Sequence, residues 1–304
     1  MAVPYQGAVE SRRPWMPKFL SGDHPFPWLA PMFAMIIAFG IYPLIYSIWL
    51  STQGKVPGLR DYKFIGAENW IKAFSDDRFI DSLVVTIEYT LICLVIQVVL
   101  GMAIAMLLDC ERRGYGLLRA LMTLPLVVPP AVTGMMFLLM EDGQFGVLSY
   151  YLKEMGLVDP DNPILASTSM ALWGVMAADI WQWTPFMVLI LMAGLRALPK
   201  EPFEAAAIDG ANWWQTLRHL TLPMLSRVIA TAVLIRTIDL YRIYDYIFAM
   251  TSGGPGTATE TLSFYAGRVF GVANFPYAAT LSLLTLIMLN VICFAFIKIF
   301  RVKF

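Results

Sequence analysis

Long runs without charge constrain this chain more than any other feature. Residues 25–54 contain no Asp, Glu, Lys or Arg, and residues 89–108 are also uncharged. About 20 apolar residues in a helix cross the roughly 30 Å hydrocarbon core of a bilayer, so each run is long enough to span a membrane. Hydrophobic residues make up 58% of the 304 residues and charged residues 14%, against about 45–50% and about 25% in soluble domains. The sequence therefore predicts a polytopic membrane protein.

The same criterion predicts an all-α fold with six transmembrane helices. The spans are expected near residues 28–50, 89–108, 120–140, 168–195, 227–250 and 275–296. The fifth is the least apolar, because it contains Arg236, Asp239, Arg242 and Asp245 at a spacing of three. At 3.6 residues per turn, Asp245 is expected on the side of this helix opposite Arg236. Prolines interrupt several spans and predict bends, whether for packing or along a path.

The distribution of basic residues predicts the orientation. Six crossings place both termini on one side, and cytoplasmic segments usually carry more Lys and Arg. With both termini cytoplasmic, 13 of the 22 basic residues lie in inner segments and seven in outer ones. The first apolar run is too long for the core of a cleaved signal peptide, so it is expected to remain as a span.

Composition and motifs exclude several other functions. Lys and Arg balance Asp and Glu at 22 each, so no basic excess indicates nucleic-acid binding. The three cysteines, Cys93, Cys110 and Cys293, show no paired spacing, and the two histidines lie far apart, so no metal site is predicted. The chain also lacks the glycine-rich phosphate loop of ATPases and the common hydrolase motifs. We therefore expect that this chain catalyses no reaction. Any energy that it uses would come from another chain or from a gradient.

Residues 196–224 predict a compact helical loop after the fourth span. Pro199 and Pro202 lie where a helix would begin, with two glutamates in its first turn. Gly210 can adopt the left-handed conformation that ends a helix, and Asn212 can cap a second helix running into Leu222 and Pro223. The result is a small, rigid, exposed docking surface joined to the fourth and fifth spans.

This loop resembles the signature of binding-protein-dependent ABC importer permeases. The signature is Glu-Ala-Ala, three residues, Gly, nine residues, an aliphatic residue, one residue and Leu-Pro, with Leu220 here replacing the usual isoleucine. The residues that match it and would couple the chain to an ATPase are Glu204, Ala205, Ala206, Gly210, Leu222 and Pro223. The resemblance implies the transmembrane domain of a type I ABC importer.

Two outer segments extend the resemblance to about residues 28–300. Residues 64–70 (FIGAENW) look like an element of carbohydrate-importer permeases, and residues 251–262, beginning TSGGPG, are similar to the last outer loop of that family. Together they resemble the first of the two permeases in maltose and glycerol-phosphate type importers. The implied organisation is a cytoplasmic tail (1–24), a first helix with its outer loop (25–81), a core (82–300) and a short tail (301–304).

The resemblance implies a heteromeric machine in a bacterial inner membrane. A second homologous permease would complete the pathway, two ATP-binding subunits would dock on the helical loops, and an extracytoplasmic binding protein would deliver a sugar or sugar-derived solute. ATP and magnesium would be bound by the ATPase subunits, and this chain would hold no cofactor of its own. Glu204 would pair with a basic residue of the ATPase.

Polar and aromatic residues inside the spans mark a candidate solute path. Ionisable groups at the centre of a span cost about 2.5–3.5 kcal/mol on insertion scales, so they usually face a cavity or a partner. The candidates are Asp179, Trp181, Gln182, Arg236, Asp239, Tyr241 and Tyr244. Carboxylates that bond to hydroxyls and aromatic faces that stack on sugars suit a polyol. A purely structural set of ion pairs, including Arg242 and Asp245, is an equally open interpretation.

Two other functions stay open at this stage. One is a transporter or channel that works without an ATPase, and the other is a membrane-embedded transferase using Asp179 or the carboxylates of the fifth span. The helical loop distinguishes the importer from both alternatives, because only the importer gives this loop a role.

Overall fold

The computed structural model describes residues 26–56, 61–109, 113–159 and 162–300, and these are almost entirely helical. The helices are α1 (Phe26–Ile36), α2 (Tyr42–Ser51), α3 (Glu68–Phe74), α4 (Asp77–Leu108), α5 (Tyr115–Met122), α6 (Pro130–Met140), α7 (Val147–Glu154), α8 (Ala171–Arg196), α9 (Glu201–Ile208), α10 (Trp213–Thr216), α11 (Leu222–Tyr241), α12 (Asp245–Met250), α13 (Leu262–Gly271) and α14 (Phe275–Phe300). Two short strands, β1 (Gln53–Lys55) and β2 (Tyr62–Phe64), pair antiparallel with Gly54 opposite Lys63. Cys110 and both predicted tails, 1–24 and 301–304, lie outside the described residues.

The membrane-spanning helices agree with six predicted crossings when one bent pair counts as a single span. Five helices of the described chain are long and apolar enough to cross, and they cover Trp28–Ser51, Asp77–Leu108, Ala171–Arg196, Trp213–Tyr241 and Phe275–Phe300. A sixth candidate combines Tyr115–Val127 with Pro130–Met140, bent by 96°. The all-α polytopic fold is therefore confirmed.

The third span, predicted near residues 120–140, is broken, as its prolines predict. A 3₁₀ turn at Leu124–Val127 ends its first half, and α6 starts at Pro130. Pro129 adopts an extended conformation with ψ of 139°. The residue before a proline is disfavoured in the helical region, and Pro130 itself lacks a donor, so this pair breaks the span.

The second span begins much earlier than its uncharged run. Helix α4 starts at Asp77 and not at Tyr89, with the Asp76 side chain accepting a hydrogen bond from the Arg78 amide at 3.1 Å. A search for uncharged residues misses the polar first turns of a helix that extends beyond the hydrocarbon.

The fifth span is shifted toward the helical loop. Residues Trp213–Tyr241 form one continuous helix, in which a π-helical turn at Leu217–Thr221 joins α10 to α11. The helix ends at Tyr241, and Arg242 and Asp245 lie in and after the break that precedes α12. The predicted span to residue 250, and with it the placement of Asp245 opposite Arg236 on one helix, is wrong. Charges alternating at a spacing of three fit a helix but do not require one.

The core is a close packing of α4, α8 and α11, with α12 against α6 and α14 against α2 and α13. Helices α4 and α8 approach each other closely at Gly101, where an added Cβ would lie 2.7 Å from the Cβ of Met187. A similar approach occurs between α6 and α12 at Gly134, where a Cβ would lie 2.9 Å from that of Ala249. Small residues allow helix backbones to pack this tightly in membranes.

Helices at the edge of the bundle leave apolar side chains uncovered. The most apolar window of the first span is only 6% buried and that of α14 only 11%. Apolar helix surfaces that are left this exposed are expected to face lipid or another membrane subunit.

Buried polar contacts hold together the end of the bundle that carries the FIGAENW element and the TSGGPG loop. The FIGAENW element folds back on the end of α2, because the buried Asn69 amide donates to the carbonyls of Ser51 at 3.0 Å and Gln53 at 2.7 Å. Glu260, which is fully buried, accepts from Arg78 Nε at 2.6 Å and from Arg268 at 3.2 Å. These bonds fasten the TSGGPG loop to the start of α4.

Asp76 links the same end of α4 to α13 and α14. Its Oδ2 accepts hydrogen bonds of 2.6 Å from the hydroxyls of both Tyr265 and Tyr277. Burial alone would raise the pKa of this carboxyl, but the two tyrosine hydroxyls and the backbone amides of Arg78 and Phe79 outweigh it and hold the pKa below its usual value.

Glu141 lies buried just beyond α6, with 3% of its surface exposed. Its Oε2 has no hydrogen-bond partner among the described residues, and the backbone of Gly174 lies beside it, since a Cβ there would come within 2.4 Å. Burial raises the pKa of this carboxyl from 4.5 to about 7.

We expect Glu141 to make stability depend on pH. Between about pH 5 and pH 7 the folded chain holds a proton at Glu141 that the unfolded chain has lost, so stability falls as the pH rises through this range. Relative to Glu141→Gln, the wild type should lose up to about 3 kcal/mol of unfolding free energy between pH 5 and pH 8. Thermal denaturation of both purified proteins across this range measures it. Parallel curves for the two proteins would contradict the expectation.

We also expect the α4–α8 contact to tolerate no side chain at Gly101. Gly101→Leu forces the two helices apart and should destabilise the protein by about 1–3 kcal/mol. Gly116→Leu is the matched control, because a Cβ on this exposed helical glycine meets nothing within 4 Å. Thermal denaturation should separate the two variants, and equal melting temperatures would show that the close approach is unimportant.

Candidate functional site

The helical loop at residues 196–224 has the predicted helix–bend–helix form. Helix α9 carries Glu201 and Glu204 in its first turn and ends at Ile208, two residues before Gly210, whose φ is +76°. The amide of Ala211 donates to the carbonyl of Ala206 at 2.9 Å, and the Gly210 amide donates to Ala207 at 3.2 Å. These two bonds form the Schellman motif that terminates helices at a left-handed glycine.

The second helix of the loop starts at a complete capping box. The Asn212 side chain accepts from the Gln215 amide at 2.9 Å, and the Gln215 side chain accepts from the Asn212 amide at 2.8 Å. The prediction that Asn212 caps this helix is confirmed, but the helix does not end at Leu222 and Pro223. It continues through them, because the π-helical turn at Leu217–Thr221 lies just before the proline and accommodates its missing donor.

The surface of the loop is exposed and largely apolar. Ile208 is 87% exposed, Trp213 65% and Trp214 60%, and no residue of α9 is buried. Among the predicted coupling residues, Ala206 is half-buried, and the others are exposed: Glu204, Ala205, Gly210, Leu222 and Pro223. An uncovered apolar patch with acidic residues beside it is typical of a docking surface.

Contacts beneath the loop connect it to the bundle. Arg196, the last residue of α8, pairs with Asp109 at the end of α4 at 3.1 Å. Both side chains are more than a third exposed, so this pair orients the loop more than it stabilises it. A cavity of about 780 Å³ separates α9 from the ends of α4 and α8.

A buried polar cluster lies at the centre of the α4–α8–α11 packing. Arg236 donates to Asp179 Oδ1 and, through Nε, to Gln97 at 2.9 Å, while the Gln97 amide donates to Asp179 at 2.7 Å. The three side chains are at most 2% exposed. One residue from each of three helices thus closes a ring of hydrogen bonds, which we call the central clamp.

Aromatic residues extend the central clamp toward α12. The Arg236 guanidinium lies over the ring of Trp183, 4.9 Å from its centre. Trp183 Nε1 donates to the hydroxyl of Tyr246 at 3.1 Å, and that hydroxyl donates to Gln182. The Gln182 amide in turn donates to the Val128 carbonyl. This last bond satisfies a backbone group in the break of the third span, where water is scarce.

A cavity of about 350 Å³ opens beside the central clamp. We call it the central cavity, and its lining residues are Pro130, Asp179, Trp183, Arg236, Asp239, Arg242, Ile243, Tyr244, Asp245 and Tyr246. Outside the clamp, Asp239 accepts from Arg242 at 2.9 Å, and the Arg242 side chain of this pair is 68% exposed and that of Asp239 28%. Of the predicted path residues, Asp179, Arg236, Asp239 and Tyr244 therefore meet at one cavity.

The other predicted path residues do not line the central cavity. Trp181 lies on another face of α8, 43% exposed, with its ring 5.7 Å from that of Phe137. Gln182 is buried in the bonds around Tyr246, and Tyr241 packs in the cluster around Tyr265. Successive residues of a helix point in different directions, so a run of polar residues cannot all face one space.

Sequence reasoning missed two members of this network. Gln97 is fully buried and supplies both a donor and an acceptor to the central clamp, and Tyr246 connects Trp183 to Gln182. Gln97 was detectable, because it is a polar amide in the middle of an otherwise apolar span. Tyr246 was not, since its role depends on the break after Tyr241.

Residues 97–303 match a family model described as a binding-protein-dependent transport system inner membrane component. The trehalose/maltose transport system permease protein MalF of Thermococcus litoralis is 31% identical over 275 residues, covering 90% of this chain and 92% of that protein. The trehalose transport system permease protein SugA of Mycobacterium tuberculosis is 32% identical over 276 residues, covering 90% and 88%.

The fold also matches a solved structure. A chain of a bacterial ABC transporter involved in the import of the acidic polysaccharide alginate superposes with a TM-score of 0.78, at 18% identity, over 91% of this chain and 94% of that one. The two chains share one transmembrane fold.

We expect the central clamp to be intolerant of single replacements. Arg236→Met leaves Asp179 buried without its cation and should destabilise the protein by about 3–5 kcal/mol, whereas Arg236→Met with Asp179→Leu should recover most of this loss. Arg242→Met, which opens an exposed pair, is the control and should cost less than about 1 kcal/mol. Thermal denaturation compares them. A double variant as unstable as the sum of its single variants would show that the pair is not coupled.

Proposed function

The chain belongs to the family of inner-membrane components of binding-protein-dependent transport systems, and on that premise we propose that it is a permease subunit of an ATP-driven importer for a sugar or sugar-derived solute. The observation that carries the proposal is the exposed loop from Glu204 to Pro223, which is built as a docking surface and continues directly into a spanning helix. Two relatives, matched over 92% and 88% of their own lengths, are a trehalose/maltose and a trehalose transport system permease, which favours a sugar.

The long helix of Trp213–Tyr241 provides a route from ATPase to solute. Its first turn lies on the docking surface, and Arg236 lies in the central clamp, about 35 Å along the axis at 1.5 Å per residue. Two ATPase subunits, one on this loop and one on the equivalent loop of a second permease, would move the helix when they close on ATP. Because the clamp joins this helix to α4 and α8, such a movement would change access to the central cavity.

The proposed partners account for surfaces that the chain leaves open. Asp239, Arg242, Tyr244 and Asp245 line the central cavity yet remain partly or largely exposed. Charged groups at membrane depth require a protein or water partner, and a second homologous permease would supply it. An extracytoplasmic binding protein would deliver the solute, and ATP with magnesium would be bound by the ATPase subunits.

We propose the orientation in which both termini are cytoplasmic, supported by the excess of basic residues in the inner segments. The coupling loop at 196–224 then lies in the cytosol, within a transmembrane core at 82–300. Residues 1–24 and 301–304 would be cytoplasmic tails, and residues 25–81 would form the first span with its outer loop.

The two alternative functions explain less of the molecule. A transporter or channel without an ATPase gives the exposed loop no partner. A membrane-embedded transferase using Asp179 would need that carboxylate at a reactive surface, but it is held by Arg236 and Gln97 and is 1% exposed.

We expect changes in the docking surface to separate ATP hydrolysis from uptake. Gly210→Val strains a left-handed bend, and Glu204→Arg reverses the charge offered to the ATPase, so each should lower uptake at least tenfold in proteoliposomes while the protein stays in the membrane. Gly156→Val is the matched control for the glycine, because Gly156 has a φ of +69° and, like Gly210, open space around it. Glu154→Arg controls for the charge. Unchanged uptake in both loop variants would refute docking at this site.

A further inference from the structure

The charges around the central cavity are unequal. Two arginines and three aspartates line it, so the lining carries one more formal negative charge than positive. The excess carboxylate is that of Asp245, at the start of α12, which is exposed and forms no ion pair with any described residue. A solute in this cavity therefore meets a net negative wall.

Neither arginine of the cavity carries an unpaired charge, although Arg242 is 68% exposed. Arg236 is 2% exposed and is engaged by Asp179, by Gln97 and by the face of Trp183. Arg242 is bonded to Asp239 at 2.9 Å. A phosphate or carboxylate that left water for this cavity would meet each guanidinium together with the carboxylate that neutralises its charge. Transferring an unpaired ion from water is strongly unfavourable.

The remaining groups suit hydroxyls. Asp245 and the outer oxygens of Asp239 accept hydrogen bonds, and Asp179, although 99% buried, keeps Oδ2 without a partner among the described residues. Tyr244 offers an aromatic ring, 37% exposed and stacked on Phe248 at 5.8 Å. Acceptors beside an aromatic face bind the O–H and C–H groups of a polyol at the same time.

We propose that the central cavity is specific for an uncharged sugar or polyol and rejects sugar phosphates and sugar acids. The inference rests on the proposed function and deepens it by naming the solute class. The fold itself does not decide this, since the alginate importer that shares it handles an acidic polysaccharide. The selecting groups are Asp245, with no cation beside it, and the two arginines that are already engaged.

The test uses the complete importer, with its second permease and ATPase subunits, in lipid nanodiscs trapped with vanadate and without the binding protein. Equilibrium dialysis measures the retention of maltose and trehalose and of the 6-phosphate of each, which share a sugar frame and differ in charge. We expect at least tenfold greater retention of an uncharged sugar than of its phosphate. Asp245→Arg supplies a free cation and should reduce this ratio at least tenfold, while Asp245→Asn should reduce it about threefold.

Glu154→Arg, an equal charge reversal outside the cavity, should leave the ratio unchanged. Proteoliposome uptake with the binding protein, run in parallel, tests the proposed function. If sugars are taken up but the phosphates are retained as well as the uncharged sugars, or neither is retained, or Asp245→Arg leaves the ratio unchanged, the charge inference is wrong and the importer function stands. If no sugar is taken up or retained by an assembled, ATP-hydrolysing complex, the sugar-importer proposal fails, and the inference fails with it.

Discussion

The buried contact of Arg236 with Asp179 and Gln97 is the interaction on which the rest of the bundle depends. It places one residue of α4, α8 and α11 in a single ring of hydrogen bonds at a depth where water cannot substitute for a lost partner. Two buried charges are expensive to desolvate, and the hydrogen bonds among the three side chains offset this cost; Asp179 Oδ2 is the one fully buried oxygen or nitrogen of the ring without a partner among the described residues. The Gly101 contact brings α4 and α8 close enough for the ring to close. Packing and polar bonding therefore fix the same three helices.

The chain combines a rigid rod with two sharp breaks. The rod is the helix Trp213–Tyr241, and its breaks are the left-handed Gly210 at one end and Arg242, where the helix stops, at the other. Helix α9 of the docking surface lies beyond the first break, and α12, which contributes Asp245 and Tyr246 to the central cavity, lies beyond the second. Because residues 213–241 form one continuous helix, a push on the docking surface should reach α12 and the central clamp as a change in packing.

The sequence predicts this molecule best where one local pattern determines one structure. The apolar runs identify the spans, and the loop is correct down to the Gly210 bend and the Asn212 cap, because capping and left-handed glycine are properties of a few adjacent residues. Prediction fails where the outcome depends on distant residues. The break after Tyr241 places Arg242 and Asp245 outside the predicted helix. The site shows the same limit. Asp179 and Arg236 were predicted as candidates and Gln97 was detectable as a polar residue in an apolar span, but their joining in one ring follows only from the packing of α4, α8 and α11.

The buried Glu260, held by Arg78 and Arg268, and Asp76, held by two tyrosines, tie the TSGGPG loop and the start of α4 to α13 and α14. Loops on a transporter are often ordered only when a partner arrives, and ordering then subtracts from the affinity. Here these loops lose their conformational entropy when the chain folds, before any partner binds. A protein that lands on this end of the bundle would meet a preformed shape, so its affinity would depend on how well the two surfaces match, and it could leave again without unfolding anything.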